Sequence, residues 1–262
     1  MLRFVINLDS STERMDRMSR RLNELKISFE RIPAVNGRDL SDELISQITY
    51  PYNHFESRVR FPRTLTKGEV GCFLSHRKCW EKLIESNEEW ALIMEDDIRI
   101  SDSAPKYMLS ADWIPSGVKI VQLSWSLPIQ KGRIRDEVIP IDNIVDLVAP
   151  LYPEPLGCQC YIISREFAKA ALSLSEKLEA PVDVIIFSPY FELANTFTVW
   201  RTAPTFVVAN EEIESDIGQR THKAVEKAPF LIRHGLTRIL LKRKVKHYQS
   251  QGKEFTFVFF DK

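Results

Sequence analysis

Three adjacent carboxylates follow an apolar run near the middle of the chain. The segment Trp90–Ser101 reads WALIMEDDIRIS, and its acids are Glu95, Asp96 and Asp97. Like charges at such short range raise one another's pKa and destabilise a fold unless a cation lies between them. Carboxylate oxygens suit Mg²⁺ or Mn²⁺, which often bridge acids to substrate phosphates. The triplet therefore indicates either a divalent-cation site or a solvated turn whose acids cap the next element.

The run Ala91–Met94 that precedes these acids predicts a buried strand. Adjacent strand residues point to opposite faces, so Glu95 and Asp97 would share one face and Asp96 the other if the strand persists. Ligands of open α/β sheets bind beyond the carboxyl ends of the strands, which is where the triplet falls. The position of the three acids at a strand end therefore favours a site in which a bound cation contacts a ligand.

The N-terminal part of the chain predicts a strand, a helix and a second strand. Residues Arg3–Asp9 (RFVINLD) and Ile27–Ile32 (ISFERI) have strand patterns, and apolar residues recur at helical spacing from Met15 to Leu25. Further strands are predicted at 118–125 and 157–164, with helices around them. This order predicts an α/β fold with a mostly parallel sheet flanked by helices, in a single domain.

Composition and motifs exclude several functional classes. The chain has 262 residues, 44% hydrophobic, and a formal net charge of zero, so its total charge does not indicate a nucleic-acid partner. Neither G-x-x-x-x-G-K-[ST] nor G-x-G-x-x-G after the first strand is present, so a nucleotide would be held in another way. No apolar run could cross a bilayer, and the N-terminus lacks a secretory pattern, so we expect a cytoplasmic protein.

The four cysteines fall in two local pairs. Cys72 and Cys79 lie seven residues apart in a helical pattern, and Cys158 and Cys160 alternate in a strand pattern. Neither pair forms C-x-x-C, so the spacing favours small buried thiols over a zinc site.

The segment 229–262 is strongly basic. It holds eight Lys and Arg residues against two acids, a net charge of +6, which leaves −6 on residues 1–228. An apolar stripe runs through its predicted helix. The segment either lies on an anionic membrane surface as a peripheral helix or packs on its own domain with the charges solvated.

Several blocks of the sequence together resemble glycosyltransferase family 25, the bacterial lipooligosaccharide galactosyltransferases with collagen-modifying relatives. The blocks, which span roughly residues 3 to 218, are INLDSSTER, RIPAVNG, LTKGEVGCFLSH, ALIMEDDI, GCQCYIISREFAKAAL with PVD, and ESDIG. The resemblance implies a GT-A-like domain over 1–228, built on a Rossmann-type sheet, that inverts the anomeric carbon of a UDP-hexose, often UDP-galactose. It further implies Mn²⁺ (or Mg²⁺) and a lipid-linked saccharide acceptor, reached at the inner face of the cytoplasmic membrane.

The resemblance also implies roles for individual residues. The predicted metal ligands are Glu95, Asp97 and His222. The predicted donor-binding residues are Asn7, Asp9, Arg14, Ala34, Gly37, Glu69, Ser75, His76 and Asp96. Gly157 matches the acceptor loop, and Asp183 matches the general base that would take the proton of the acceptor hydroxyl.

Simpler interpretations remain open for some of these residues. Arg14 would then be a solvated helix residue, His76 a structural histidine on an apolar helix face, and Asp183 a helix cap. The protein as a whole could instead be a nucleotidyltransferase, or a relative that binds saccharide or protein without turnover. INLDSSTERM lacks the glycine-rich loop that such nucleotidyltransferases commonly carry after the first strand.

Overall fold

The computed structural model describes residues 1–50, 64–125, 129–152, 156–188, 191–210, 247 and 250–259. The strands are β1 Leu2–Asn7, β2 Glu30–Pro33, β3 Trp90–Glu95, β4 Ile98–Ile100, β5 Ile120–Gln122, β6 Ser124–Trp125, β7 Ile129–Pro140, β8 Asp146–Tyr152, β9 Cys160–Ser164, β10 Trp200–Ala203, β11 Val207–Ala209 and β12 Lys253–Val258. The helices are α1 Thr12–Glu24, α2 Asp42–Ile48, α3 Lys67–Glu85, α4 Pro105–Met108, α5 Arg165–Leu174, α6 Val182–Phe187 and α7 Glu192–Thr196, and a 3₁₀ turn spans Gly37–Asp39.

A nine-stranded sheet forms the centre, in the order β12-β7-β8-β10-β5-β9-β3-β1-β2. Strands β1, β2, β3, β5, β7 and β10 share one direction, and β8, β9 and β12 run against them. The predicted α/β class is therefore confirmed. The chain pattern does not reveal that β9 inserts antiparallel between β3 and β5.

The opening β1-α1-β2 unit is confirmed, and its strands are parallel to each other and to β3. The interior strands β1 and β3 are buried on both faces, which explains their long apolar runs, whereas β2 at the sheet edge buries only Ile32. Phe4, Ile93 and Tyr161 face α3, α5 and α6, whereas Val5 and Leu92 face α1 and α4. Each side chain fully buried in this way contributes about 1.5–3 kcal/mol to folding.

The remaining strands extend the sheet and add a second one. Strands β7, β8 and β12 form an antiparallel edge, and β4, β11 and β6 make a separate three-stranded sheet. Strand β4 follows β3 after only two residues, Asp96 and Asp97, so the chain leaves the central sheet at the acidic triplet. The triplet is thereby fixed at the carboxyl edge of the sheet.

The basic segment 229–262 lies mostly outside the described residues. Its described strand β12 pairs with β7, so this part of the segment belongs to the central sheet rather than to a separate unit. Among the described residues, no helix combines the length and apolar character that a membrane crossing requires.

Candidate active site

Strands β1, β2 and β3 are parallel, so their carboxyl ends meet at one edge of the sheet. A cavity of about 390 Å³ opens there between these ends, α1 and the start of α3. The predicted site residues that line it are Asn7, Arg14, Ala34, Gly37, Ser75, His76, Glu95, Asp96 and Asp97. Residues that are far apart in sequence are thus brought together where the fold predicts a ligand.

Glu95 points toward α3 and is held there by His76. The Nε2 atom of the fully buried His76 lies 3.1 Å from Glu95 Oε1, and its Nδ1 atom lies 2.9 Å from Tyr161 Oη. Tyr161 Oη also accepts a hydrogen bond from Trp80 Nε1 at 3.0 Å. Burial alone would lower the pKa of His76, but its partners Cys72 and Glu95 raise it to about 9. His76 is therefore a positioning residue for Glu95 as well as part of the cavity wall.

Asp96 points the other way, toward α1, as strand alternation predicts. Its Oδ2 atom accepts a hydrogen bond from Asn7 Nδ2 at 2.6 Å, and its Oδ1 atom lies 3.5 Å from Arg14 Nη1. Arg17 Nη2 donates to the Asp96 carbonyl oxygen at 2.8 Å. Burial raises the pKa of Asp96 despite these donors. The Asp96 carboxylate is thus held on the β1–α1 side of the cavity by its contacts with Asn7 and Arg14.

Asp97 carries the least satisfied carboxylate of the three. Its Oδ1 atom is buried and has no hydrogen-bond partner among the described residues. Burial, followed by the charges of Glu95 and Asp96, raises the pKa of Asp97 to about 7. A buried carboxylate oxygen without a donor is costly unless a cation satisfies it. Asp97 and Glu95 therefore fit the hard oxygen ligands that Mn²⁺ or Mg²⁺ would require.

Another wall of the cavity is formed by the turn after β2 and the start of α3, which are in close contact. A Cβ added to Gly37 would lie 2.0 Å from the Lys67 carbonyl oxygen, so only glycine fits there. Ser75 Oγ accepts from the Val35 backbone N–H at 2.8 Å and donates to the Gly71 carbonyl oxygen at 2.7 Å. These contacts fix the backbone of residues 34–37 beside the cavity.

Four predicted residues do not line the cavity. Glu69 forms a capping box with Thr66, in which its Oε2 atom accepts from the Thr66 N–H at 2.9 Å, so it starts α3. Asp9 is exposed and pairs with Arg31. For both residues the structure shows a local partner, and their donor-binding roles stay predictions. The other two are Gly157 and Asp183.

Gly157 and Asp183 lie together. Gly157 has φ +93°, a left-handed conformation that glycine accommodates, and its N–H donates to Asp183 Oδ2 at 3.0 Å. Gln122 Nε2 donates to its carbonyl oxygen at 2.6 Å. Asp183, in the first turn of α6, therefore orients the loop before β9. Its role as general base stays a prediction, and the predicted metal ligand His222 lies outside the described residues.

Sequence reasoning missed some residues at this site. Cys72 lines the cavity and lies four residues before His76, so one helical turn puts both on the same face of α3. Cys158 joins them from the loop before β9. The i,i+4 spacing of Cys72 and His76 was visible in the sequence, but their approach to Cys158 depends on tertiary packing.

Comparison with known proteins supplies the context for this geometry. The model of glycosyltransferase family 25, described as an LPS biosynthesis protein family, matches residues 1–186. A glycosyltransferase 25 family member of Aedes aegypti is 41% identical over 189 residues, covering 70% of this chain and 30% of that protein. Human procollagen galactosyltransferase 2 is 33% identical over 171 residues, covering 63% and 26%.

A third relative, the probable inactive glycosyltransferase 25 family member 3 of Rattus norvegicus, is 33% identical over 152 residues. The match covers 57% of this chain and 26% of the rat protein. The chain thus spans less than a third of the length of these three relatives.

Proposed function

The chain belongs to glycosyltransferase family 25, and we propose that it transfers galactose from UDP-galactose to an acceptor hydroxyl with the help of Mn²⁺ or Mg²⁺. The observation that carries the proposal is the buried carboxylate oxygen of Asp97, which has no hydrogen-bond partner in the described part of the chain and lies beside Glu95 in a cavity at the carboxyl edge of the sheet. A metal–diphosphate held by strand-end acids would satisfy that oxygen and occupy the cavity.

The rest of the cavity suits the nucleotide. A cavity of about 390 Å³ is within the size range of small-molecule sites. Asn7 and Asp96 offer polar groups to a ribose or a sugar, and Arg14 offers its guanidinium to a phosphate. The backbone of residues 34–37, fixed by Ser75, would edge the uracil.

Asp97 and Glu95 would hold the cation, with His76 keeping the Glu95 carboxylate in place. When bound, the cation offsets the charge that grows on the departing diphosphate. Arg14 and Asp96 lie on the β1–α1 side, so they would contact the donor from that side of the cavity.

Asp183 is the proposed general base. Inversion requires a carboxylate to accept the proton of the acceptor hydroxyl as that oxygen attacks the face opposite the leaving UDP. The hydrogen bond from the Gly157 N–H fixes one carboxylate oxygen of Asp183. That contact also ties the base to the predicted acceptor loop, so binding of an acceptor and proton transfer would be coupled.

The proposed acceptor is a lipid-linked saccharide such as lipooligosaccharide, which the family description as LPS biosynthesis proteins supports. The basic segment 229–262 would then bring the enzyme to anionic lipid at the inner face of the cytoplasmic membrane. A procollagen hydroxyl is a second candidate acceptor, because a relative is named a procollagen galactosyltransferase.

A UDP-release assay over a panel of nucleotide sugars tests the proposal. Release from UDP-galactose with Mn²⁺, lost in chelator, is the expected result, and adding lipooligosaccharide or a procollagen peptide in separate arms identifies the acceptor. Failure of every donor under every condition would instead favour a non-catalytic member, the class suggested by the name of the rat relative. Nucleotide triphosphate turnover would favour a nucleotidyltransferase.

A further inference from the structure

A second cluster of side chains that could bind a metal forms part of the cavity wall and shares Glu95 with the proposed donor-metal site. Cys72 and His76 come from α3, Glu95 from the end of β3, and Cys158 from the loop before β9. One ligand atom of each lies within 4.8 Å of the ligand atoms of the other three. His76 and Cys158 are buried, and Cys72, His76 and Glu95 line the cavity.

The spacing of these atoms is close to that of a tetrahedral site. Zinc bonds to sulfur are about 2.3 Å and to nitrogen or oxygen about 2.0–2.2 Å, so neighbouring ligand atoms lie roughly 3.3–3.8 Å apart. Atoms already within 4.8 Å reach this spacing through small side-chain movements. The ligands come from three separate elements, and because their atoms already lie this close, no large backbone change is required.

The ligand types select the metal. Two thiolates and an imidazole are soft or borderline ligands that favour Zn²⁺, whereas Mn²⁺ and Mg²⁺ favour sets made of oxygen. The Asp97 carboxylate, which suits a hard cation, is not part of the cluster. The two kinds of site therefore differ in chemistry, although Glu95 is a proposed ligand of both.

The surroundings of His76 orient it as a ligand. Its Nδ1 atom is engaged by Tyr161 Oη at 2.9 Å, and Tyr161 is itself held by Trp80 Nε1. The Nε2 atom is thereby directed to the side of Glu95. Outer partners of this kind fix the ring and tautomer of metal-binding histidines.

We propose that Cys72, His76, Cys158 and Glu95 bind one Zn²⁺ ion that joins α3, β3 and the loop before β9. Zinc binds two thiolates and a neutral imidazole, so binding releases to solvent the protons that Cys72, Cys158 and the His76 imidazolium carry. The ion fastens Cys158 next to Gly157, so it stabilises the predicted acceptor loop. Glu95, facing the cavity, is the ligand that a bound molecule could displace.

Cobalt substitution tests the site without any enzyme assay. The full chain is purified under reducing conditions, its zinc content is measured by mass spectrometry, and Co²⁺ replaces the metal. We expect about one zinc per chain, together with thiolate-to-cobalt charge transfer and tetrahedral d–d bands. Cys72→Ala and Cys158→Ala should each weaken cobalt binding at least tenfold.

The chain offers matched controls. Cys79→Ala and Cys160→Ala also remove buried thiols, but outside the cluster, and should retain the bands. Asp97→Asn should retain them as well, which separates this site from the proposed donor metal. If the cluster variants fail to fold, alkylation of the wild-type chain decides the question, since zinc should protect Cys72 and Cys158 and a chelator should reverse that protection.

Three results would overturn the proposal. The first is a chain without cobalt bands whose cysteines alkylate equally with and without zinc. The second is retention of the bands in both cluster variants. The third is a Cys72–Cys158 disulfide in the chain as purified without reductant, with no affinity for zinc after reduction.

Discussion

Asp97→Asn tests whether the cavity carries a charge that only a cation stabilises. Burial, then Glu95 and Asp96, raises the pKa of Asp97 from 3.8 to about 7. Between these values the folded chain keeps a proton that the unfolded chain has lost. In the absence of metal, stability should therefore fall as the pH rises through this interval and stay low above it.

The size of the effect follows from the two pKa values. One pH unit between them corresponds to about 1.4 kcal/mol, so the complete loss is at most ~4 kcal/mol. The asparagine amide has nearly the same shape without the charge, but a buried amide still requires hydrogen bonds. We expect Asp97→Asn to raise the free energy of unfolding above about pH 7 by roughly 1–4 kcal/mol.

The assay is urea unfolding with chelator present at about pH 5 and about pH 8, on either side of the interval. The wild-type chain should lose more stability at the higher pH than Asp97→Asn, because His76, whose pKa is also raised, titrates in both chains. Only the wild type should regain stability with Mn²⁺. Asp136→Asn, an exposed acid on β7, is the matched control and should follow the wild type. The reasoning is refuted if Asp97→Asn is no more stable than the wild type at the higher pH, or if Mn²⁺ stabilises both equally.

Three further perturbations test other parts of the account. Asp183→Asn should keep UDP affinity but lower turnover at least a hundredfold, because general base catalysis contributes about 10²–10⁴; turnover near the wild-type rate would place the base elsewhere. Gly37→Ala should lower the free energy of unfolding by about 2–3 kcal/mol, since its Cβ would meet the Lys67 carbonyl oxygen, and an unchanged thermal midpoint would contradict the contact. Replacing the four basic residues within 242–246 by serine should weaken binding to anionic vesicles more than tenfold, since each charge contributes about 1 kcal/mol. Unchanged binding would contradict the proposed membrane contact, but would not affect the pairing of β12 with β7.

The sequence predicted the elements in which a local pattern determines the structure. The β1-α1-β2 unit was visible because apolar spacing changes from strand to helix and back. The split of Glu95 and Asp96 to opposite faces follows from strand alternation, and the contacts with His76 and Asn7 confirm it. The position of the acids at the strand end followed from the length of the apolar run.

Features that depend on tertiary packing were not visible. Cys72 was paired by spacing with Cys79, whereas the fold brings it to Cys158, which is 86 residues away along the chain. Glu69 was predicted to bind the donor from its block of residues; the structure shows its capping box with Thr66 at the start of α3, and the donor-binding role stays a prediction. Cys72 meets Cys158 because α3 packs against the loop before β9, and Glu69 meets Thr66 because α3 begins there. The periodicity of apolar residues predicts neither contact.

A crystal grown with Mn²⁺ and UDP-galactose tests the central claim most directly. The account predicts an anomalous manganese peak at coordination distance from Asp97, bridged to the diphosphate, with the nucleotide between Arg14 and the turn at 34–37. Bound nucleotide whose diphosphate and metal lie away from Asp97 and Glu95, or a cavity in which neither binds, would contradict it.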